Sequence, residues 1–145
     1  MAAGYLIDMN VISELRRREP EPRVIRWYEQ RPARQLFLSV LTLGEIRRCV
    51  ERLDEGERQQ ALRTWLEQEL PAFFSGRLLP IDDAVAQRWG RLMAEKGRSL
   101  PAIDSLLAAT ALEHNLVLVT CNFKDVADLP MAVANPWQSE EKNQP

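Results

Sequence analysis

At 145 residues the chain fits one domain, long enough to bury a core without disulfides or structural metals. Its 46% apolar and 28% charged residues are the balance of a soluble globular protein, and it has no uncharged apolar run of the about eighteen residues that crossing a membrane needs. The formal net charge of −2 speaks, at first sight, against a nucleic-acid binder.

Tyr5-Leu6-Ile7 reads as a buried strand, followed by a helix through Val11 to Leu15 and another holding Val24, Trp27 and Tyr28. Leu36 to Ser39 is a second strand, and Thr42 starts a helix with Leu43, Ile46, Val50 and Leu53 on its apolar stripe. Glu57 to about Phe74 is helical, with Leu62, Trp65, Leu66 and Leu70 buried and Pro71 placed to kink or end it. Leu78 to Ile81 is a weaker strand at a sheet edge, because Pro80 cannot donate to a ladder. Asp82 or Asp83 caps a helix carrying Val85, Trp89, Leu92 and Met93. Pro101 opens a further helix at its first position, running to His114 with Ala108, Ala109 and Ala111 along it. Leu116 to Val119 is the clearest strand, and Met131 to Val133 a last short one. Trp27, Tyr28, Phe73, Phe74 and Trp89 are assigned to the core. Strands alternating with helices give an α/β domain over residues 1–138, with a mainly parallel sheet covered on both faces. The tail 139–145 is polar and reads as disordered.

Met1 to Asp8 meets a carboxylate too soon for a signal peptide, and Cys49 and Cys121 form neither a disulfide framework nor a metal-ligand spacing. A reducing cytoplasm is the expected compartment. The bases are almost all arginine and crowd the first third of the chain, from Arg16-Arg17-Arg18 to Arg47-Arg48 and Arg52. A cation-loaded carboxylate cluster would itself lower the formal charge yet attract phosphate, so charge leaves the question open.

In parallel α/β sheets chemistry collects beyond the carboxyl ends of the strands, where strand order reverses. Asp8 directly follows the first strand, Glu45 lies in the first turn of the helix after the second, and Asp104 lies in the first turn of the helix before the Leu116 strand. Asn122 and Asp125 follow that strand. Each has a bland alternative. Asp8 caps a helix, Thr42-Leu43-Gly44-Glu45 is a capping box, Asp104 complements a helix N-terminus, and Asn122 and Asp125 are ordinary turn residues. Their shared location is the stronger signal, because clustered carboxylates repel unless a cation intervenes. Oxygen-only donors suit Mg2+ or Mn2+ and imply metal-assisted phosphodiester hydrolysis. The single histidine, His114, sits at a helix end and excludes a paired-histidine ribonuclease, and no Gly-rich phosphate loop occurs.

Leu6 to Glu14, Leu41 to Arg47, Ile103 to Ala111, and Leu118 to Asn122 with Asp125 resemble, in order and spacing, the four motifs of VapC-like PIN-domain toxins, especially the FitB-like branch. Ala134-Asn135-Pro136-Trp137 is similar to that family's closing strand, and the match covers residues 4 to 138. The resemblance implies a three-layer α/β/α fold with a five-stranded sheet, and a Mg2+-dependent endoribonuclease. Asp8, Glu45 and Asp104 would be its metal-binding acids, Asn122 the fourth position, and Asp125 a catalytic group acting through water or as direct ligand. Asn10, Ser13 and Thr120 would support them. It also implies a homodimer, an antitoxin whose tail fills the active-site groove, and operator DNA bound through that antitoxin. Departures are Cys121 where arginine is common, Met9 for threonine and Val126 for phenylalanine. Two other readings compete. A haloacid-dehalogenase-like phosphohydrolase would use Asp8 as nucleophile but needs a second aspartate where Asn10 stands, and a non-catalytic binding module would act through its antitoxin and operator complex.

Overall fold

The computed structural model describes residues 4–97, 100–122 and 124–138. The tail 139–145, the first three residues and Phe123 lie outside the described residues. The elements run β1 (Tyr5–Ile7), α1 (Met9–Leu15), α2 (Pro22–Glu29), β2 (Leu36–Ser39), α3 (Val40–Arg52) and α4 (Glu57–Thr64). A π turn (Trp65–Glu69) leads to α5 (Leu70–Phe73), then β3 (Leu78–Leu79), α6 (Asp83–Lys96), α7 (Ala102–Glu113), β4 (Val117–Val119) and β5 (Val133–Ala134). All four pairings are parallel, in the order β3-β2-β1-β4-β5. The expected five-stranded sheet is therefore parallel throughout, and strand order reverses at β1, with β4 beside it.

Alternation along β1 and β4 divides the core. Leu6 and Leu118 face α6 and α7, packing with Leu92, Leu107, Ala108 and Ala111. Ile7 and Val119 face the other way, against Val11, Val24, Trp27, Ile46, Val50, Leu70 and Phe74. These are the three layers. Trp27 and Phe74 are buried as expected, but Phe73 and Trp89 are 39% and 36% exposed. Trp89 turns its indole N–H inward to the buried Ser105 Oγ at 2.9 Å, which ties its polar edge to α7 while the rest of the ring stays partly open to solvent.

Several boundaries move for physical reasons. Ser39, the last residue of β2, caps α3 by accepting from Leu41 N at 3.0 Å, so the helix begins before Thr42. Pro101 precedes α7 as its cap rather than opening it, with its carbonyl accepting from Ser105 N at 2.9 Å. Asp82 caps α6 through Val85 N at 3.0 Å. At the end of α7, Asn115 takes φ 53° and Leu116 N donates to Ala111 O at 2.8 Å. That bond spends Leu116 on the helix stop, so β4 starts at Val117. Leu70 N closes on Trp65 O, a wide turn that moves backbone carbonyls away from the Pro71 ring and lets Glu57 to Phe73 continue as one helical run. β3 stops before Pro80 on the sheet edge, and β5 starts two residues later and ends one residue later than expected. Among the described residues no helix is long and apolar enough to cross a membrane.

Gly4 enters β1 with no room for a side chain. A Cβ there would stand 2.6 Å from Gln35 O and 2.8 Å from the Phe37 ring. Gly4→Ala is expected to cost about 2 kcal/mol and lower Tm by roughly 6 °C, read by calorimetry. An unchanged Tm would show that β2 yields freely at this point.

Candidate functional site

Because the strands are parallel and the helices return antiparallel to them, the N-termini of α1, α3 and α7 gather at the carboxyl edge of the sheet. Asp8 follows β1 there and is 8% exposed. One of its oxygens accepts from Met9 N at 2.7 Å, so it does cap α1. The other accepts from Asn10 Nδ2 at 3.0 Å and from the Thr120 hydroxyl at 2.7 Å. Thr120 Oγ1 in turn accepts from Asn10 Nδ2 at 3.1 Å and Asn122 N at 3.0 Å, while Cys121 N donates to Asn10 Oδ1 at 3.3 Å. Asn10 is thus engaged on both ends of its amide and offers no proton donor of the kind a second aspartate would supply. Ser13 lines the same cleft, outside this network.

Asp104 lies in the first turn of α7, as expected, and Asn122 Nδ2 donates to its Oδ2 at 3.1 Å. Glu45 is a correction. With Ser39 as cap it sits six residues into α3, beyond the first turn, too far along to bond the cap N–H. Its Oε1 is buried with no hydrogen-bond partner among the described residues. Burial, then the charges of Asp8 and Asp104, push the Glu45 carboxyl above its usual range, against a downward pull from Arg48. Burial, then Asp8 and Asp125, push Asp104 up as well, against the Asn122 hydrogen bond. Asp125, in the turn 124–128, is not among the residues that line the cleft, though its charge reaches Asp104. Among the described residues no lysine or arginine forms an ion pair with Asp8, Glu45 or Asp104.

These side chains line one open cleft of about 740 Å³, bounded also by Met9, Glu14, Arg17, Cys121 and Trp137. Among the described residues no three His, Cys, Asp or Glu side chains are drawn tightly enough to cage an ion unaided. The donors are nevertheless all oxygen, and the Glu45 oxygen lacks a partner where two other acids add to its charge. A hard divalent cation carrying its own waters fits such a set, because it needs only one or two direct carboxylates. The Cys121 thiol is pushed up by burial and by Asp8, so it stays protonated at neutral pH and adds no nucleophile.

The model of the PIN domain matches residues 5–129. The chain belongs to the PIN-domain family. A PIN-domain relative, Toxin FitB of Neisseria gonorrhoeae, is 35% identical over 135 residues, covering 91% of this chain and 97% of its own. VapC ribonuclease Y4jK of Sinorhizobium fredii is 30% identical over 136 residues, covering 92% and 97%. The solved structure of FitAB bound to an IR36 DNA fragment superposes with a TM-score of 0.86 at 33% identity, over 93% of this chain and 96% of that one.

Sequence reasoning missed Glu14 and Arg17 of this PIN domain. Glu14 is 7% exposed and accepts from Glu21 N at 2.9 Å and from Arg17 at 3.3 Å. A lone acid in a short helix reads as solvent-facing, whereas here the chain turns back so that Glu21 N donates to it. Trp137 was visible only as part of the closing motif. Asn135 Oδ1 accepts from its N–H at 3.0 Å and carries the ring to the cleft.

Proposed function

We propose that this protein is a Mg2+-dependent endoribonuclease, the toxin half of a type II toxin–antitoxin pair acting in the cytoplasm, with its PIN domain over residues 1–138. The observation that carries this reading is the convergence of Asp8, Glu45 and Asp104 on one cleft with no paired cation among the described residues and with Glu45 Oε1 lacking a partner. The relatives named a toxin and a ribonuclease support the activity, a similar solved toxin-antitoxin complex from Klebsiella pneumoniae supports an antitoxin partner, and FitAB bound to a DNA fragment supports DNA binding by the assembly. The assembly unit is a homodimer.

Asp8, Glu45 and Asp104 would hold the ion, with Asn122 Oδ1 as a further oxygen, since its amide nitrogen is already given to Asp104. Mg2+, or Mn2+ in its place, would polarise an attacking water and offset charge on the phosphate. The protein's own part is orientation. Thr120 and Asn10 fix Asp8, Asn122 fixes Asp104, and Asp125 acts through water at the margin of the cleft.

The antitoxin-free protein is expected to cut structured RNAs in Mg2+ or Mn2+, to stop in EDTA, and to melt at a higher temperature with Mg2+ than without. Well-folded protein that cuts no RNA and shows no thermal shift with Mg2+ would overturn the reading.

A further inference from the structure

We infer that the channel leaving the acidic cleft between α1, α3 and α4 is the track for a single-stranded ribose-phosphate chain, held by Arg16, Arg17 and Arg58. This rests on the nuclease reading and names how its substrate is gripped. The channel, about 340 Å³, shares Met9, Ser13 and Arg17 with the cleft, so one strand can pass from one into the other. Its lining holds three arginines and no carboxylate, in a chain whose net charge is −2. That local excess of positive charge matches a polyphosphate.

The three arginines are also available. Arg16 and Arg58 pair with no carboxylate among the described residues, whereas nearby Arg47 is tied to Glu51 and Glu67. Arg17 touches Glu14 only at 3.3 and 3.4 Å, with its side chain 67% exposed, so it can exchange that carboxylate for a phosphate. Arg16 lies over the Trp65 ring, 4.7 Å from its centroid. Arg16 is exposed, so a base can stack beside the guanidinium and the indole. Ile46 and Leu62 complete an apolar wall. A duplex would offer this wall nothing but phosphates. A single strand uses both the charge and the stacking surface.

The test measures binding of a short fluorescent oligouridylate in EDTA, which keeps it intact, as salt is raised. Arg16→Ala and Arg58→Ala should each weaken binding about five-fold and lower the salt slope by about 0.7, while Arg91→Ala, on α6 across the sheet, changes nothing. In Mg2+ the same two variants should raise KM and keep kcat. A double variant with wild-type affinity and slope overturns the track. So does a polyglutamate peptide that binds wild type and not the double variant while RNA affinity is unchanged, which would assign the channel to an acidic protein segment. Asp104→Asn separates this failure from that of the nuclease reading. Cleavage lost in Asp104→Asn with the channel variants unaffected sinks the track alone. Wild type that cuts nothing while the channel variants still weaken binding leaves the track standing and sinks the nuclease.

Discussion

Asp8→Asn is expected to lower single-turnover RNA cleavage by about 10²–10³-fold, the usual loss when one charged contributor to a phosphate site is removed. It should also destabilise the metal-free protein, by about 1 kcal/mol. The two effects have different origins. Loss of the charge removes a metal-binding oxygen. Stability falls because the substitution, though isosteric, reverses a donor. Asp8 accepts from Met9 N, Asn10 Nδ2 and the Thr120 hydroxyl. Asparagine can still accept from Met9 N, but its amide then meets Asn10 Nδ2 donor to donor, and Thr120 Oγ1 already accepts from Asn10 and Asn122. Relief of repulsion on Glu45 and Asp104 works in the opposite direction. Solvent reaches part of the cleft and screens that repulsion, so the lost hydrogen bonds outweigh it. Cleavage within ten-fold of wild type at saturating Mg2+ would remove Asp8 from the metal site. A Tm equal to or above wild type in EDTA would mean that the Thr120 network does not hold Asp8.

What could be read in advance follows from how local each signal is. β1, β2 and β4 are short apolar runs, and the parallel order follows from the helices between them. Asp8 and Asp104 were legible because strand ends and helix first turns are defined by neighbouring residues. Glu45 was placed near the site for a partly wrong reason. A Thr-x-x-Glu pattern marks a capping box only when the threonine is the cap, and here Ser39 fills that role as the final strand residue. Thr42 is wholly buried, with its hydroxyl unpaired among the described residues. The same shift by three residues takes Glu45 out of capping reach and leaves one of its oxygens alone. The grip of Thr120 on Asp8 joins residues 112 positions apart, and Arg16 over Trp65 joins two helices. Neither pairing has any trace in local pattern, since both depend on how strand order and helix packing bring distant turns together. Trp89 escaped the core for a related reason. Helical periodicity finds an apolar face but not how much of a large ring the neighbouring helix leaves uncovered.

Glu45→Gln should also lose cleavage by about 10²–10³-fold, but with the opposite effect on stability in EDTA. The sign follows from the raised carboxyl. A group that binds its proton more tightly when folded stabilises the native state below its ordinary value of 4.5, and that contribution is lost as pH rises through the raised native value. At neutral pH wild type therefore carries a buried charge facing Asp8 and Asp104, and glutamine removes it. Tm in EDTA should rise by about 2 °C at pH 7, a modest shift because solvent reaches part of the site and screens the repulsion. The gain should fade as pH drops toward 4.5, where wild type has taken up its proton. Adding Mg2+ should reverse the order, since only wild type keeps the full set of oxygens to bind the ion. Asp104→Asn should follow the same pattern, with its gain fading nearer its ordinary 3.8. A pH-independent difference in Tm, or a Mg2+ shift as large in Glu45→Gln as in wild type, would place Glu45 outside the cation site. Opposite stability changes at Asp8 and Glu45 with equal loss of cleavage would separate the acid that the fold holds in place from the acid whose free oxygen is kept for the metal.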